Sequence, residues 1–152
     1  DLVRKAEGVA VHAIGTPLVT NADGRKFGKS EGNAVWLDPA LTSPYAMYQF
    51  WLNTDDADVI DRLKVFTFLD RAEIDRFAEL VRDEPFRRAA QKRLALEVTG
   101  IVHGTEAVAA AIAASEALFG QGDLTALDAP TLAAAIAELP SAEVGEHDTV
   151  VH

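Results

Sequence analysis

Residues 43–56 read SPYAMYQFWLNTDD, and the first two letters already set a helix. Ser43 can accept hydrogen bonds from the coming turn, and Pro44 has the fixed φ that suits a first helical position. Together they predict a helix over residues 45–53. Thr54 reads as the cap of a second helix, with Asp55, Asp56 and Asp58 in its first turn, where the helix dipole favours negative charge. Ile60, Leu63 and Phe66 then face a core. Asp70 with Glu73 resembles a capping box for a helix reaching Arg82. Residues 84–103 predict the longest helix: Phe86, Ala90, Leu94, Val98 and Ile101 form its apolar stripe, and Gly104 ends it. Two alanine-rich helices follow over 106–119 and 131–139.

Upstream the pattern changes. Residues 9–19 (VAVHAIGTPLV) are apolar and rich in β-branched side chains, the composition of a buried strand, with Pro17 placing part of it near an edge or bulge. Residues 21–33 (NADGRKFGKSEGN) hold three glycines and two lysines and almost nothing apolar, so they read as a long mobile loop, and such loops are usually functional. Residues 34–37 look like a second short strand. The chain thus divides near 38–43 into a strand–loop–strand piece, too small to bury a sheet, and a helical domain. Residues 1–8 (DLVRKAEG) read as the last turns of a helix closed by Gly8. With no initial Met and an apolar end at 149–151, the chain reads as a fragment.

With 152 residues, 49% hydrophobic and 25% charged, the chain has globular composition. No apolar run approaches the roughly 18 residues of a membrane span, and no cysteine offers a disulfide or thiolate metal site. A soluble, cytoplasmic protein is expected. The net charge is −10, but its distribution is uneven. Residues 1–37 are slightly basic, 38–104 mildly acidic, and 105–152 hold eight acids without one Lys or Arg. Binding a polyanion needs cations that release counterions. Any such contact falls in the first two thirds.

The segment densest in chemistry is Arg25-Lys26-Phe27-Gly28-Lys29-Ser30. Two ammonium groups three residues apart, a glycine between them and a hydroxyl after them can surround a phosphate and neutralise charge on leaving pyrophosphate. A phosphate-binding P-loop also ends in Gly-Lys-Ser, but it needs a glycine where this chain has Asp23. A solvated basic loop is the plain alternative.

Context favours the chemistry. The KFGKS segment is flanked by Pro17-Leu18-Val19-Thr20, Ala22-Asp23-Gly24 and Trp36-Leu37-Asp38. Then come Ser43-Pro44-Tyr45, Tyr48 to Asp56 (YQFWLNTDD), Phe66-Thr67-Phe68-Leu69, Arg88 to Lys92 (RAAQK) and Val102-His103-Gly104. Over nearly its whole length the chain resembles the bacterial tyrosyl-tRNA synthetases, class I enzymes whose signature KMSKS motif takes the form KFGKS or KFGKT.

The resemblance implies a mainly α fold: a short β-loop-β remnant of a Rossmann-like catalytic domain, then a helical domain of about five helices. It implies the end of a catalytic domain at 1–38, an anticodon-binding domain at 39–144 and a linker at 145–152 toward a further tRNA-binding domain. It implies activation of tyrosine by ATP, with Mg²⁺ accompanying the nucleotide, and transfer to the 3′ end of tyrosine tRNA. Lys26 and Lys29 would close over the β- and γ-phosphates with help from Ser30; Phe27 and Gly28 complete the ATP-binding loop. Leu18 and Val19 would pass under the adenine, although ordinary strand packing also explains them. Arg4 and Lys5 match a pair that contacts the tRNA acceptor arm, or simply favour a helix C-terminus. Asp55 stands where some members read the anticodon, or is a first-turn acid. Arg87, Arg88, Lys92 and Arg93 form a basic helix face, either a phosphate contact or solvated. The four histidines have no ligand spacing. The HIGH motif, the tyrosine-recognising residues and the dimer-forming segment of a homodimeric enzyme are not in this chain. A tRNA- or protein-binding module without catalysis is the alternative.

Overall fold

In the computed structural model, residues 2–24, 26–27, 34–120, 122–123, 125, 127–137 and 139 are described. The chain separates into two units, Asp1–Ala34 and Val35–His152.

The first unit opens with helix α1, Leu2–Glu7. Gly8 closes it at φ +69°, a left-handed conformation that a glycine adopts without strain, and its N–H donates to the Arg4 carbonyl at 3.1 Å. The strand expected over 9–19 is absent: these residues are irregular, and none of the described residues of this unit is buried. A β-branched run becomes a strand only when a neighbour offers a ladder, and among the described residues only Val19, at its end, is bonded across, to the Phe27 N–H. What pairing exists is an isolated antiparallel bridge between Thr20 and Lys26.

The second unit is helical. Helix α2, Pro44–Leu52, starts as expected, with the Ser43 hydroxyl accepting from the Ala46 N–H at 3.0 Å. Helix α3, Asp56–Phe66, is capped by Asp55 rather than Thr54. The reason is the tight exit from α2. The Asn53 and Thr54 N–H groups are still held by the Gln49 and Trp51 carbonyls, so the chain re-enters a helix one residue later. Helix α4, Arg71–Asp83, has half a capping box, in which Asp70 accepts from the Glu73 N–H at 2.8 Å. The long helix expected over 84–103 is broken. Pro85–Arg87 form a 3-10 turn and Arg88 sits at φ 49°, ψ 36°, before α5 runs Ala89–His103. Phe86 therefore leaves the stripe and is 80% exposed, and Ile101 also faces out, whereas Ala90, Leu94 and Val98 are buried as expected. Helices α6, Thr105–Phe119, and α7, Ala129–Ala137, complete the unit.

Helix α2 lies against α5 and α6, with α3 and α4 on the flank of α5. Met47, Val59, Leu63, Leu94 and Ala114 fill the interior with at most 1% exposure, and Trp51 packs on Phe66 with ring centroids 5.0 Å apart. Six α-helices are thus present among the described residues of this unit, where about five were expected. Because Ser43 starts the helix that packs on α5, α6 and α7, Ser43→Ala is expected to lower unfolding free energy by about 1 kcal/mol. Urea denaturation monitored by circular dichroism measures it, and an unchanged midpoint would deny the cap any energetic role.

Candidate nucleotide and RNA site

In the first unit, the turn at residues 21–24 brings 19–20 beside 26–27. Its glycine, Gly24, has φ +81° and donates its N–H to the Asn21 carbonyl at 2.8 Å. The Phe27 N–H then donates to the Val19 carbonyl at 3.0 Å, next to the Thr20–Lys26 bridge. Val19, Lys26 and Phe27, all expected at the ATP site, meet at one hairpin, with Leu18 adjoining and 70% exposed. Lys26 is exposed and makes no ion pair with a described residue. An ammonium group so placed is available to an anion. Gly28, Lys29 and Ser30 lie outside the described residues. Arg4 and Lys5 are exposed on the last turn of α1.

In the second unit, Asp55 is exposed, and its backbone carbonyl accepts from the Asp58 and Val59 N–H groups at 3.0 Å each. The four cations expected on one basic face are used differently. Arg87 pairs with Glu84 at 2.9 Å, and Arg93 pairs with Glu97 at 2.9 Å and with Glu73 at 3.7 Å. Arg88 turns inward, its Nη2 donating to the Leu52 and Thr54 carbonyls at 2.7 and 3.1 Å. Lys92 alone of the four has neither a carboxylate nor a carbonyl partner for its side chain among the described residues. Gln91, fully buried, adds bonds from its Nε2 to the Thr54 carbonyl and the Asp56 carboxylate. Arg88 and Gln91 thereby hold the α2–α3 connection in place, a role missed in the sequence. A basic residue three before a glutamine gives no sign of carbonyls more than thirty residues upstream. Among the described residues no group of three or more His, Cys, Asp or Glu could hold a metal ion, and no helix is long and apolar enough to cross a membrane.

Residues 1–120 match the family described as tRNA synthetases class I (W and Y), and the chain belongs to that family. Within it the likeness is to tyrosine-specific members. The tyrosine–tRNA ligase of Leifsonia xyli is 71% identical over 141 residues, 92% of this chain and 32% of that protein. That of Streptomyces avermitilis is 55% identical over 152 residues, 99% of this chain and 36% of its own. Among solved structures, a C-terminally truncated mitochondrial tyrosyl-tRNA synthetase of Aspergillus nidulans superposes with a TM-score of 0.54 at 40% identity, covering 57% of this chain and 26% of that one. The chain thus spans about a third of the length of the curated relatives it matches.

Proposed function

We propose that this chain supplies the ATP-phosphate loop and part of the tRNA-binding surface of a tyrosine–tRNA ligase. The observation that supports this most is the hairpin that joins the Val19 backbone to Phe27 and Lys26. It gives one edge for an adenine and, a few residues on, cations for the phosphates of the same nucleotide. In the reaction a tyrosine carboxylate oxygen bonds to the α-phosphorus of ATP as the α–β bridging bond breaks, and pyrophosphate leaves. A ribose hydroxyl at the tRNA 3′ end then takes the tyrosyl carbonyl and releases AMP. Lys26 and Lys29 hold the charge that gathers on pyrophosphate, with Ser30 assisting through its hydroxyl. Mg²⁺, which favours phosphate oxygens, travels with ATP. Residues 1–38 are the end of the catalytic domain, 39–144 the anticodon-binding domain and 145–152 a linker. Arg4 and Lys5 face the acceptor arm and Asp55 the anticodon, in a homodimeric cytoplasmic enzyme.

Tyrosine-dependent exchange of pyrophosphate into ATP, measured on the full-length protein that contains this chain, tests the reading. Exchange with tyrosine and not with tryptophan is expected. Exchange with tryptophan alone would overturn the substrate, and tRNA binding without exchange under either amino acid would replace the ligase by a binding module.

A further inference from the structure

Three acids open α3, and two of them are tied down. The Asp56 carboxylate accepts from Nε2 of Gln91, which is fully buried, and Asp58 pairs at 3.6 Å with Arg62, itself 2% exposed. Asp55 differs. It occupies the cap position, where an aspartate ordinarily accepts from N–H groups of the first turn, yet its side chain makes no cap bond. Among the described residues its exposed carboxylate has no partner.

The backbone beneath that carboxylate is held on both sides. The Thr54 carbonyl and the Asp55 N–H belong to one planar peptide unit. That carbonyl accepts from the Arg88 Nη2 at 3.1 Å and from the Gln91 Nε2 at 3.4 Å. Arg88 also grips the Leu52 carbonyl at 2.7 Å. On the other side, the Asp55 carbonyl accepts from the Asp58 and Val59 N–H groups. Gln91 has no exposed surface, so any influence it has on a molecule at Asp55 passes through this turn. Nor is it there for stability alone. Its Oε1 is buried without a partner, which costs folding free energy that an apolar side chain would not. What the amide supplies is fixed geometry at Thr54 and Asp56.

We propose that Arg88 and Gln91 are positioning residues for the tRNA-dependent step, holding Asp55 where its free carboxylate meets the RNA while touching no RNA themselves. This rests on the reading that faces Asp55 to the anticodon. It adds that two side chains more than thirty residues away in sequence set that contact.

The test uses the full-length protein that contains this chain, with KM and kcat for tyrosylation of tyrosine tRNA as readout. Asp55→Ala is expected to raise the tRNA KM by about tenfold, the scale of one hydrogen bond to a charged group. A positioning residue can lose at most what its contact supplies, so Gln91→Leu and Arg88→Ala are each expected to raise it by about fivefold. Their kcat and their tyrosine-dependent pyrophosphate exchange are expected to stay unchanged. Gln91→Leu keeps the side-chain volume and leaves the exposed Asp56 to water, so it carries the test if Arg88→Ala fails to fold, and circular dichroism verifies both. The decisive measurement is a double-mutant cycle. If Gln91 acts through Asp55, adding Gln91→Leu to Asp55→Ala raises KM by less than about twofold. Val108→Ala, which loosens the contact of α6 with Gly100 of α5, serves as the control, and its effect is expected to multiply with that of Asp55→Ala. A Gln91→Leu effect that also multiplies would make Gln91 merely structural and overturn the proposal. An unchanged KM in Gln91→Leu beside a raised one in Asp55→Ala overturns the proposal and leaves the anticodon reading standing. An unchanged KM in Asp55→Ala removes both. Exchange in the unsubstituted protein reports on the ligase reading independently of all three.

Discussion

Lys29→Ala in the full-length protein is expected to slow formation of tyrosyl-adenylate by about 10²–10³-fold, with tyrosine affinity unchanged. An ammonium group pre-placed where charge develops contributes roughly 3–4 kcal/mol to the transition state and little to the ground state. The loss therefore belongs to the rate and not to binding. Lys26→Ala is expected to act in the same direction, since Lys26 is exposed beside the Val19–Phe27 pairing and engages no described carboxylate. Stopped-flow measurement of adenylate formation separates the two quantities. A weakened tyrosine Kd with an unchanged rate would remove both lysines from the pyrophosphate clamp.

The second large effect is structural. Arg88→Ala is expected to cost about 3 kcal/mol in unfolding free energy. Its guanidinium serves the Leu52 and Thr54 carbonyls, and hydrogen bonds to a charged donor contribute roughly 1.5–3 kcal/mol each. The alanine also inherits the left-handed backbone at φ 49°, which a glycine tolerates better by about 1 kcal/mol. Arg88→Gly should consequently be the milder change, although it removes the same two bonds. Denaturant unfolding of both variants provides the check. Equal losses would mean that the backbone at Arg88 relaxes, and no loss in either would mean that the α2–α3 connection holds itself.

Arg88 also marks where sequence reading stops. Ser43-Pro44 and Asp70 start their helices through bonds to residues three positions on, so the local letters were enough. The break at 85–88 depends on Pro85 and on carbonyls more than thirty residues away, and an apolar stripe running through Phe86 conceals it. Residues 9–19 show the same limit from the other side: their β-branched composition is that of a strand, but a strand is a property of a pair. For the site, the KFGKS letters and their flanks were legible because the chemistry is packed into one short loop. Of its geometry, the Val19–Phe27 bond and the Thr20–Lys26 bridge are seen, while Gly28, Lys29 and Ser30 lie outside the described residues.

The unladdered run at 9–19 bears on how this polypeptide behaves in a test tube. Val9, Val11 and Ile14 are 52%, 58% and 95% exposed, on backbone that has no neighbouring strand among the described residues. Exposed, unpaired β-branched chain of that kind is a template for a second copy. Self-association should therefore begin at this end and not at the acid-rich helices, and it should grow with concentration. Charged replacements at Val11 and Ile14 would be the first choice for anyone wishing to keep the polypeptide monodisperse at the concentrations that spectroscopy of the helical unit demands.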